Sequence, residues 1–261
     1  MMSEVTQLME TCEAAARAGA RELMDWRGRF STREKSARDL VTDADLASQQ
    51  AIETVVRQQF PDHGFLGEEG PHIEQLDQPY CWVVDPLDGT TNYVHDYPFF
   101  AVSVAVAKEG KLVAGTVFDP IREECFQTGL GQGSWLNGSR LTTSNTTVLQ
   151  QALLAVSFPP IPQVNDPDFQ AFLNVAPLCQ AVRRTGSAAL NLAYVACGRL
   201  DAHWAHSIHP WDSAAGVLLV LEAGGVATAS CGEEFQLAKG NYSTASTRLL
   251  YDALQPLITG T

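Results

Sequence analysis

Basic residues are scarce in this chain. Its 261 residues include 17 Lys and Arg against 30 Asp and Glu, which gives a formal net charge of −13 at pH 7. Nucleic acids and anionic membranes attract proteins through clustered positive charge, and this composition does not supply it. We therefore expect neither as a partner. An acidic protein that handles phosphate must bring positive charge to its site, and divalent cations are the obvious source.

Paired cysteines and long apolar runs are also missing. The six cysteines are scattered without a Cys-x-x-Cys pair, so we expect buried free thiols rather than a zinc site or a disulfide framework. No apolar run approaches the roughly 18 residues that span a bilayer. The amino end has neither the basic start nor the apolar core of a signal peptide. These absences predict a cytoplasmic, soluble protein.

What is present is typical of a globular protein. The composition is 45% hydrophobic and 18% charged. Residues 3–27 favour a helix and residues 31–39 a charged loop, and apolar residues recur at helical spacing from Ile52 to Phe60. Strands are predicted at about 100–107, 112–118, 153–157, 201–204, 226–230 and 243–246, and further helices from about 166, 187, 214 and 247. Glycine-rich residues 129–138 lack the spacing of a dinucleotide-binding loop and are interpreted as a turn.

Residues 82–92 form the motif around which the other segments are organised, and they read WVVDPLDGTTN. The apolar start predicts a buried strand, which Pro86 should stop because proline has no N–H for a ladder. Gly89 then permits a sharp turn, and one of the next three residues is predicted to cap a helix.

Asp85 and Asp88 precede Gly89, and if the segment turns as it leaves the strand they are expected to converge on one side. Residues three apart on a helical turn lie roughly 5–6 Å apart at Cβ. Two carboxylates at that separation repel each other unless a proton, a cation or a metal lies between them. From these residues alone an acidic loop with an Asx-type turn remains an open alternative.

Three other acidic positions each have a structural explanation. Thr42 and Asp45 fit a capping box at a helix start. Glu68 lies in a glycine-flanked turn, where a solvated loop needs the same residue types. Asp212 begins an apolar helix and is favourably placed against the helix dipole.

Taken together, these segments resemble the inositol monophosphatase family of Mg²⁺-dependent, lithium-sensitive phosphatases. The resemblance rests on residues 40–45 (LVTDAD), 67–69 (GEE), 82–95 (WVVDPLDGTTNYVH) and 211–225 (WDSAAGVLLVLEAGG). It implies a mixed α+β and α/β fold, a layered αβαβα sandwich of the sugar-phosphatase type. An amino-terminal half (1–145) would carry most metal ligands, and a carboxy-terminal half (146–261) would carry Asp212 and substrate contacts. A homodimer is also implied.

The resemblance further implies residue roles around two to three Mg²⁺ ions. Ligands would be the side chains of Glu68, Asp85, Asp88 and Asp212 with the carbonyl of Leu87, and Asp45 would be linked through water to a weaker third ion. Glu68 and Thr90 would orient the attacking water. Backbone N–H groups of Gly89 and Thr90 would bind phosphate, and Ala188 matches a substrate-contact position.

The substrate is less well specified than the chemistry. Inositol monophosphatases usually carry Glu seven residues before the Asp that matches Asp212, and this chain has Ala205 at that position. Losing an acceptor for a substrate hydroxyl costs about 1–3 kcal/mol, which argues against strict specificity for myo-inositol 1-phosphate. Other small polyol or sugar phosphates, fructose 1,6-bisphosphate, phosphoadenosine phosphate and histidinol phosphate remain candidates. His203, His206 and His209 either contact substrate or lie at the surface, and we expect the surface for two of them.

Two rival interpretations have different chemistry. A haloacid-dehalogenase-type phosphatase uses a nucleophilic Asp in Asp-x-Asp near its amino end, whereas the spacing here is Asp-x-x-Asp and lies far from the start. A non-catalytic, phosphosugar-binding regulatory protein on a phosphatase scaffold would not need all four carboxylates.

Overall fold

The computed structural model describes residues 3–36, 39–70 and 76–259. The helices are α1 (Glu4–Trp26), α2 (Asp43–Gln59), α3 (Thr90–Val94), α4 (Pro167–Val175), α5 (Ala188–Ala196), α6 (Pro210–Glu222) and α7 (Arg248–Thr259). The strands are β1 (Thr32–Ser36), β2 (Asp39–Thr42), β3 (Gly64–Gly67), β4 (Tyr80–Asp88), β5 (Ala101–Lys108), β6 (Lys111–Asp119), β7 (Glu124–Gly129), β8 (Gly133–Leu136), β9 (Ser139–Arg140), β10 (Leu153–Val156), β11 (Ala181–Arg183), β12 (Ala202–Ala205), β13 (Val226–Thr228) and β14 (Tyr242–Ala245).

Two sheets organise the molecule. The larger has the order β3-β4-β5-β6-β7-β8-β9, in which β3 and β4 are parallel and the other neighbours are antiparallel. The smaller has the order β11-β10-β12-β14-β13, with β10 parallel to both β11 and β12 and antiparallel pairs on the other side. A separate hairpin joins β1 and β2.

The helices cover these sheets in layers, each with its own apolar packing. Helices α1 and α2 pack on one face of the larger sheet, around Leu23, Ile52 and Trp82. Helices α5 and α6 lie between the two sheets, and α4 and α7 cover the outer face of the smaller one around Trp204. The predicted αβαβα sandwich is therefore confirmed.

Helix α2 begins with the capping box predicted from its sequence. The Thr42 hydroxyl accepts from the backbone N–H groups of Ala44 and Asp45, and the Asp45 carboxylate accepts from the backbone N–H of Thr42 at 2.8 Å. These contacts satisfy N–H groups that have no partner within the helix. Asp45 is completely buried as a result.

The prediction that Pro86 stops its strand is wrong. Strand β4 continues to Asp88, and its pairing with β5 skips from Asp85 opposite Ser103 to Asp88 opposite Ala101. This irregularity tolerates Pro86 because a residue in a bulge does not need to donate to the ladder. It also displaces the two aspartates from the regular alternation of a strand.

The predicted side-chain cap of the next helix is also wrong. Helix α3 is preceded by Gly89 in the left-handed conformation (φ 96°, ψ 38°), with no side-chain capping bond. Glycine meets this requirement without the steric cost that a Cβ would add. A Cβ there would also lie 3.1 Å from the carbonyl oxygen of Phe99.

Seven of the strands in the described residues were not predicted, namely β1, β2, β3, β7, β8, β9 and β11. Residues 32–36 and 39–42 form the β1–β2 hairpin, where a charged loop was expected. The turn predicted over 129–138 contains β8, and Ala181–Arg183 pairs with β10 as β11. Such short segments gain order from neighbouring strands rather than from their own residue pattern.

The prediction of buried free thiols is confirmed for three of the six cysteines. Cys12, Cys81 and Cys125 are buried free thiols, but Cys179 and Cys197 are half-buried and Cys231 is exposed.

Within the described residues, no helix combines the length and apolar character needed to cross a membrane.

Helices α5 and α6 meet at Gly216, and this contact positions the helix that carries Asp212. A Cβ at Gly216 would lie 2.4 Å from the Cβ of Leu192. We expect Gly216→Ala to lower the free energy of unfolding by about 1–3 kcal/mol, the usual cost of overpacking. Urea unfolding followed by circular dichroism measures this change, and an unaltered midpoint would show that the two helices have room to separate.

Candidate active site

Three carboxylates from two distant segments meet beneath one cleft. Asp85 and Asp88 lie at the end of β4, and Asp212 lies in the first turn of α6. One carboxylate oxygen from each lies within 4.8 Å of the others. Asp85 and Asp88 are buried, and Asp212 is partly exposed. The predicted convergence of Asp85 and Asp88 is confirmed, and Asp212 joins them.

Asp88 is held by the start of α5. Its carboxylate accepts hydrogen bonds from the Ser187 hydroxyl and from the backbone N–H groups of Ala188, at 3.1 Å, and Ala189, at 2.8 Å. Ser187 also caps α5 by accepting from the backbone N–H of Leu190. The aspartate of the larger sheet is thus fixed by a helix from the other half of the chain, a contact that no local sequence pattern indicates.

Asp85 and Asp212 are oriented by their own segments. The backbone N–H of Leu87 donates to Asp85 Oδ1 at 3.0 Å, an Asx-type turn within the bulge. The backbone N–H of His209 donates to Asp212 Oδ2 at 2.9 Å at the start of α6. Each aspartate has a second carboxylate oxygen that these backbone bonds do not use.

Thr90 links the acidic cluster to Asp45. Its hydroxyl lies 3.1 Å from the carbonyl oxygen of Leu87 and 3.4 Å from Asp45 Oδ1. The same Asp45 carboxylate also accepts from the Thr42 hydroxyl at 2.6 Å. The structure brings together all three predicted residues, Asp45, Leu87 and Thr90.

Glu68 approaches the cluster from the end of β3. Its backbone N–H donates to the carbonyl oxygen of Val84 at 3.1 Å, which continues the β3–β4 ladder. The amide of Gln49 holds the next residue by bonding both the N–H and the carbonyl of Glu69. Glu68 lines the cleft beside Asp88 and Asp212.

Burial and the neighbouring carboxylates raise the pKa values of all three aspartates. Burial, followed by the charges of Glu68, Asp88 and Asp212, raises the pKa of Asp85 well above its usual range. Burial also raises the pKa of Asp212, with Asp88 and Glu68 adding to the effect. The pKa of Asp88 rises to about 6 through burial, although its hydrogen bonds with Ser187, Ala189 and Ala188 oppose the rise.

The donor set fits a hard divalent cation. Carboxylate and carbonyl oxygens are the ligands that Mg²⁺ prefers, and Mg²⁺ usually needs only a few of them because it keeps bound waters and takes up substrate phosphate. A cation among Asp85, Asp88 and Asp212 would remove the repulsion that raises their pKa values.

The cleft above the cluster has a volume of about 540 Å³. Predicted site residues that line it are Glu68, Asp88, Gly89, Thr90, Ala188 and Asp212. Ala205 does not line it and is completely buried in the apolar packing between the sheets. The cleft therefore offers its ligand no surface from the Ala205 side chain.

The three histidines near Asp212 have different environments. His209 is exposed at the mouth of the cleft and stacks on Trp211, with ring centroids 4.6 Å apart. His206 is partly buried and lies 2.9 Å from Asp168, while His203 is completely buried. Of the two histidines expected at the surface, the structure exposes only His209.

Asp168 is a positioning residue that the sequence analysis missed. It is completely buried in α4 and accepts from the backbone N–H groups of His206 and Ser207, as well as contacting the His206 ring. These bonds hold the segment between β12 and α6, which leads directly to Asp212. Its position near a helix start resembles an ordinary first-turn acid, so only the tertiary structure reveals this role.

Comparisons with known proteins agree with this geometry. The sequence model of the inositol monophosphatase family matches residues 2–259. The Nus factor SuhB of Pseudomonas aeruginosa is 42% identical over 235 residues, which cover 87% of each chain. The inositol-1-monophosphatase of Synechocystis is 37% identical over 254 residues, 97% of this chain and 88% of that one. The chain belongs to the inositol monophosphatase family.

Solved structures of similar proteins superpose on nearly the whole chain. The inositol monophosphatase of Anabaena superposes with a TM-score of 0.87 at 34% identity, covering 99% of this chain and 98% of that one. Like that family, this chain is a phosphoric monoester hydrolase, and its acidic cluster lies where the two family signatures meet.

Proposed function

We propose that this inositol monophosphatase family member is a Mg²⁺-dependent phosphomonoesterase for a small polyol or sugar phosphate. The observation that carries the proposal is the cluster of Asp85, Asp88 and Asp212, of which one oxygen each lies within 4.8 Å of the others at an open cleft. Their elevated pKa values favour a cation at this position.

We assign the metal ligands to the three aspartates, Glu68 and the carbonyl of Leu87, holding two to three ions. When bound, Mg²⁺ would polarise the phosphate, stabilise the leaving oxygen and make a water molecule a better nucleophile. The carboxylates of Asp88 and Asp212 would hold the cation, and hydrogen bonds from backbone N–H groups already orient both of them.

The attacking water is oriented by Thr90 and Glu68 in this proposal. The Thr90 hydroxyl donates its single proton toward the Leu87 carbonyl or the Asp45 carboxylate, so its lone pairs face outward and accept from water. Glu68 lines the same cleft and offers a second acceptor. Asp45 acts through Thr90 because it is buried behind that hydroxyl.

The phosphate is bound by the turn between β4 and α3. The N–H groups in the first turn of a helix have no partner within that helix and point toward its start. The left-handed conformation of Gly89 brings this backbone to the floor of the cleft. We therefore assign phosphate binding to the N–H groups of Gly89 and Thr90, with Ala188 contacting the remainder of the substrate.

The absence of a carboxylate at position 205 argues for a substrate other than strictly myo-inositol 1-phosphate. Ala205 is buried and carries no acceptor for a substrate hydroxyl. Fructose 1,6-bisphosphate, phosphoadenosine phosphate and histidinol phosphate thus remain alternatives for the same chemistry. Lithium sensitivity and a homodimer, which the family resemblance implies, stay predictions.

A second candidate is a non-catalytic regulatory protein that binds phosphosugars. A regulatory role is supported by the similarity of this chain to a relative named Nus factor SuhB. The presence of every carboxylate assigned to the metal site favours catalysis instead.

Phosphate release from a substrate panel tests the proposal. The panel comprises inositol 1-phosphate, fructose 1,6-bisphosphate, phosphoadenosine phosphate and histidinol phosphate, each with Mg²⁺, with Mg²⁺ and Li⁺, and with EDTA. We expect release with Mg²⁺, near-complete loss in EDTA and recovery when Mg²⁺ is returned. Activity that survives chelation would exclude the metal-dependent mechanism, and binding without any release would support the regulatory candidate.

A further inference from the structure

A chain of three hydrogen-bonded side chains runs from the buried core to the cleft. Ser157 follows β10 and lines the cleft. The Nε2 atom of His203 lies 3.1 Å from the Ser157 hydroxyl, and its Nδ1 atom lies 3.0 Å from the hydroxyl of Tyr242. His203 and Tyr242 are both completely buried, on β12 and β14. The proposed chemistry uses none of these three residues.

Burial keeps both His203 and Tyr242 uncharged. It lowers the pKa of His203 to about 3, so the imidazole is neutral near pH 7 and has one donor and one acceptor nitrogen. Burial, followed by the negative charges of Asp212 and Asp88, raises the pKa of Tyr242, although a hydrogen bond with Ser157 opposes the rise. The phenol therefore stays protonated.

One order of donors gives the buried phenol an acceptor and directs the Ser157 proton outward. In this order Tyr242 donates to Nδ1 of His203, 3.0 Å away, because a buried phenol needs an acceptor for its proton. The imidazole proton is then on Nε2 and is donated to the Ser157 oxygen, 3.1 Å away. The hydroxyl proton of Ser157 then points away from His203, and the open direction is the cleft.

Arg184 contributes charge to the same wall. Of the described residues that line the cleft, Arg184 alone carries a permanent positive charge. Parallel pairing sets Ala155 of β10 opposite Arg183 of β11, so the two chains leave the sheet side by side. The guanidinium carbon of Arg184 lies 5.4 Å from the ring centroid of Phe158, the residue after Ser157.

We propose that Ser157 and Arg184 bind an anionic group on the non-reacting part of the substrate, such as a second phosphoryl or a carboxylate group. His203 and Tyr242 are positioning residues that keep the Ser157 hydroxyl in its donor orientation. This inference rests on the proposed function, which places the reacting phosphate at the acidic cluster. Hydrogen bonds from a guanidinium to an anion are stronger than those to a neutral hydroxyl.

The inference selects among the substrate candidates. Fructose 1,6-bisphosphate and phosphoadenosine phosphate carry a second phosphate that can accept from both residues. Histidinol phosphate carries an amine, which Arg184 repels at neutral pH. A neutral polyol phosphate such as inositol 1-phosphate presents only hydroxyls to this wall.

Arg184→Gln tests the charge, with Arg183→Gln as the matched control on the exposed end of β11. We expect Arg184→Gln to raise the KM for fructose 1,6-bisphosphate by about 10- to 100-fold, the usual effect of losing a hydrogen bond to a charged group. The kcat, and the KM for inositol 1-phosphate, should change by no more than about twofold. The Arg183→Gln control should match the wild type with both substrates.

Tyr242→Phe tests the positioning role without altering the cleft surface. The imidazole can then accept from Ser157, which turns the donor proton inward. We expect the KM for fructose 1,6-bisphosphate to rise about 3- to 10-fold, as it should for Ser157→Ala, and the double variant to be no worse than either single one. The control is Ser243→Ala, which removes a buried β14 hydroxyl with no partner among the described residues.

The outcomes separate this inference from the proposed function. Equal KM changes for both substrates in Arg184→Gln, or a wild-type KM in Ser157→Ala, would overturn the inference while leaving the phosphatase intact. If neither substrate releases phosphate with Mg²⁺, the proposed function fails. Calorimetric titration of fructose 1,6-bisphosphate in Mg²⁺ would then decide the inference, because Arg184→Gln should still weaken binding at least tenfold relative to Arg183→Gln.

Discussion

Asp85→Asn should lower kcat by about 10³-fold or more. Asn has nearly the same shape, and its amide oxygen can still accept from the backbone N–H of Leu87, which now lies 3.0 Å from Asp85 Oδ1. The substitution removes the negative charge of Asp85. Burial, followed by the charges of Glu68, Asp88 and Asp212, raises the pKa of this carboxyl group. Metal stabilisation of a transition state is worth several kcal/mol, and each 1.36 kcal/mol is a factor of ten in rate.

The same substitution should stabilise the metal-free protein. Buried like charges are destabilising, and here burial and neighbouring carboxylates raise the pKa of Asp85. Removing one charge should raise the free energy of unfolding by about 1–2 kcal/mol at pH 8 in EDTA, and the midpoint of thermal unfolding by about 3–6 °C. Differential scanning calorimetry and a phosphate-release assay on the same preparation measure both effects.

Asp119→Asn provides the matched control for a buried aspartate outside the site. Asp119 is completely buried and accepts from the backbone N–H groups of Ile121 and Arg122 and from the Arg122 guanidinium. Its charge is compensated, so neutralising it should lower stability and leave kcat within about twofold of wild type. If Asp85→Asn loses stability as Asp119→Asn does, or keeps kcat within tenfold, the buried acidic cluster is not a metal site.

Local sequence rules were sufficient for part of this site. The three-residue spacing of Asp85 and Asp88, followed by glycine, predicts that both carboxylates face one side, and the structure brings them together. Their convergence arises at the bulge in β4 rather than on the helical turn that was expected. The capping box of Thr42 and Asp45 is confirmed because both of its bonds form within one helical turn. Contacts between residues a few positions apart follow from backbone geometry alone.

Contacts between segments far apart in the sequence could not be predicted from local sequence rules. Only the resemblance of residues 211–225 to the inositol monophosphatase family predicted that Asp212 belongs to the site. The bonds from Ser187 and α5 to Asp88, and the chain from Tyr242 to Ser157, join elements whose pairing depends on sheet order. No periodicity in either segment encodes that order, because each strand and helix would show the same pattern with different neighbours.

Magnesium should stabilise the protein strongly at pH 8 and very little at pH 5. A ligand that binds only the folded state adds about 2.7 kcal/mol at a concentration 100 times its Kd, so saturating Mg²⁺ at pH 8 should raise the unfolding midpoint by about 5–10 °C. At pH 5 the cluster holds protons that compete with the cation, and the rise should be about 1 °C or less. NaCl at matched ionic strength controls for screening of surface charge.

The direction of this pH dependence follows from the raised pKa values. Burial raises the pKa of Asp88 to about 6, above the ordinary value of 3.8, and raises the pKa values of Asp85 and Asp212 as well. The folded protein therefore binds more protons than the unfolded chain between about pH 4 and 6. The contribution of Asp88 to the stability of the metal-free protein is fully present below pH 3.8 and is lost as the pH rises through about 6.

Magnesium reverses that loss because it replaces the protons as the pH rises. The difference between midpoints with Mg²⁺ and with EDTA should consequently grow through about pH 6, the pKa of Asp88, in a titration by differential scanning fluorimetry. Asp85→Asn should flatten this curve, since the variant has less charge for the cation to compensate, whereas Asp119→Asn should keep the wild-type shape. A Mg²⁺ effect of equal size at pH 5 and pH 8 would mean that the cation binds elsewhere, since competition with protons at Asp88 and its neighbours makes binding here pH-dependent.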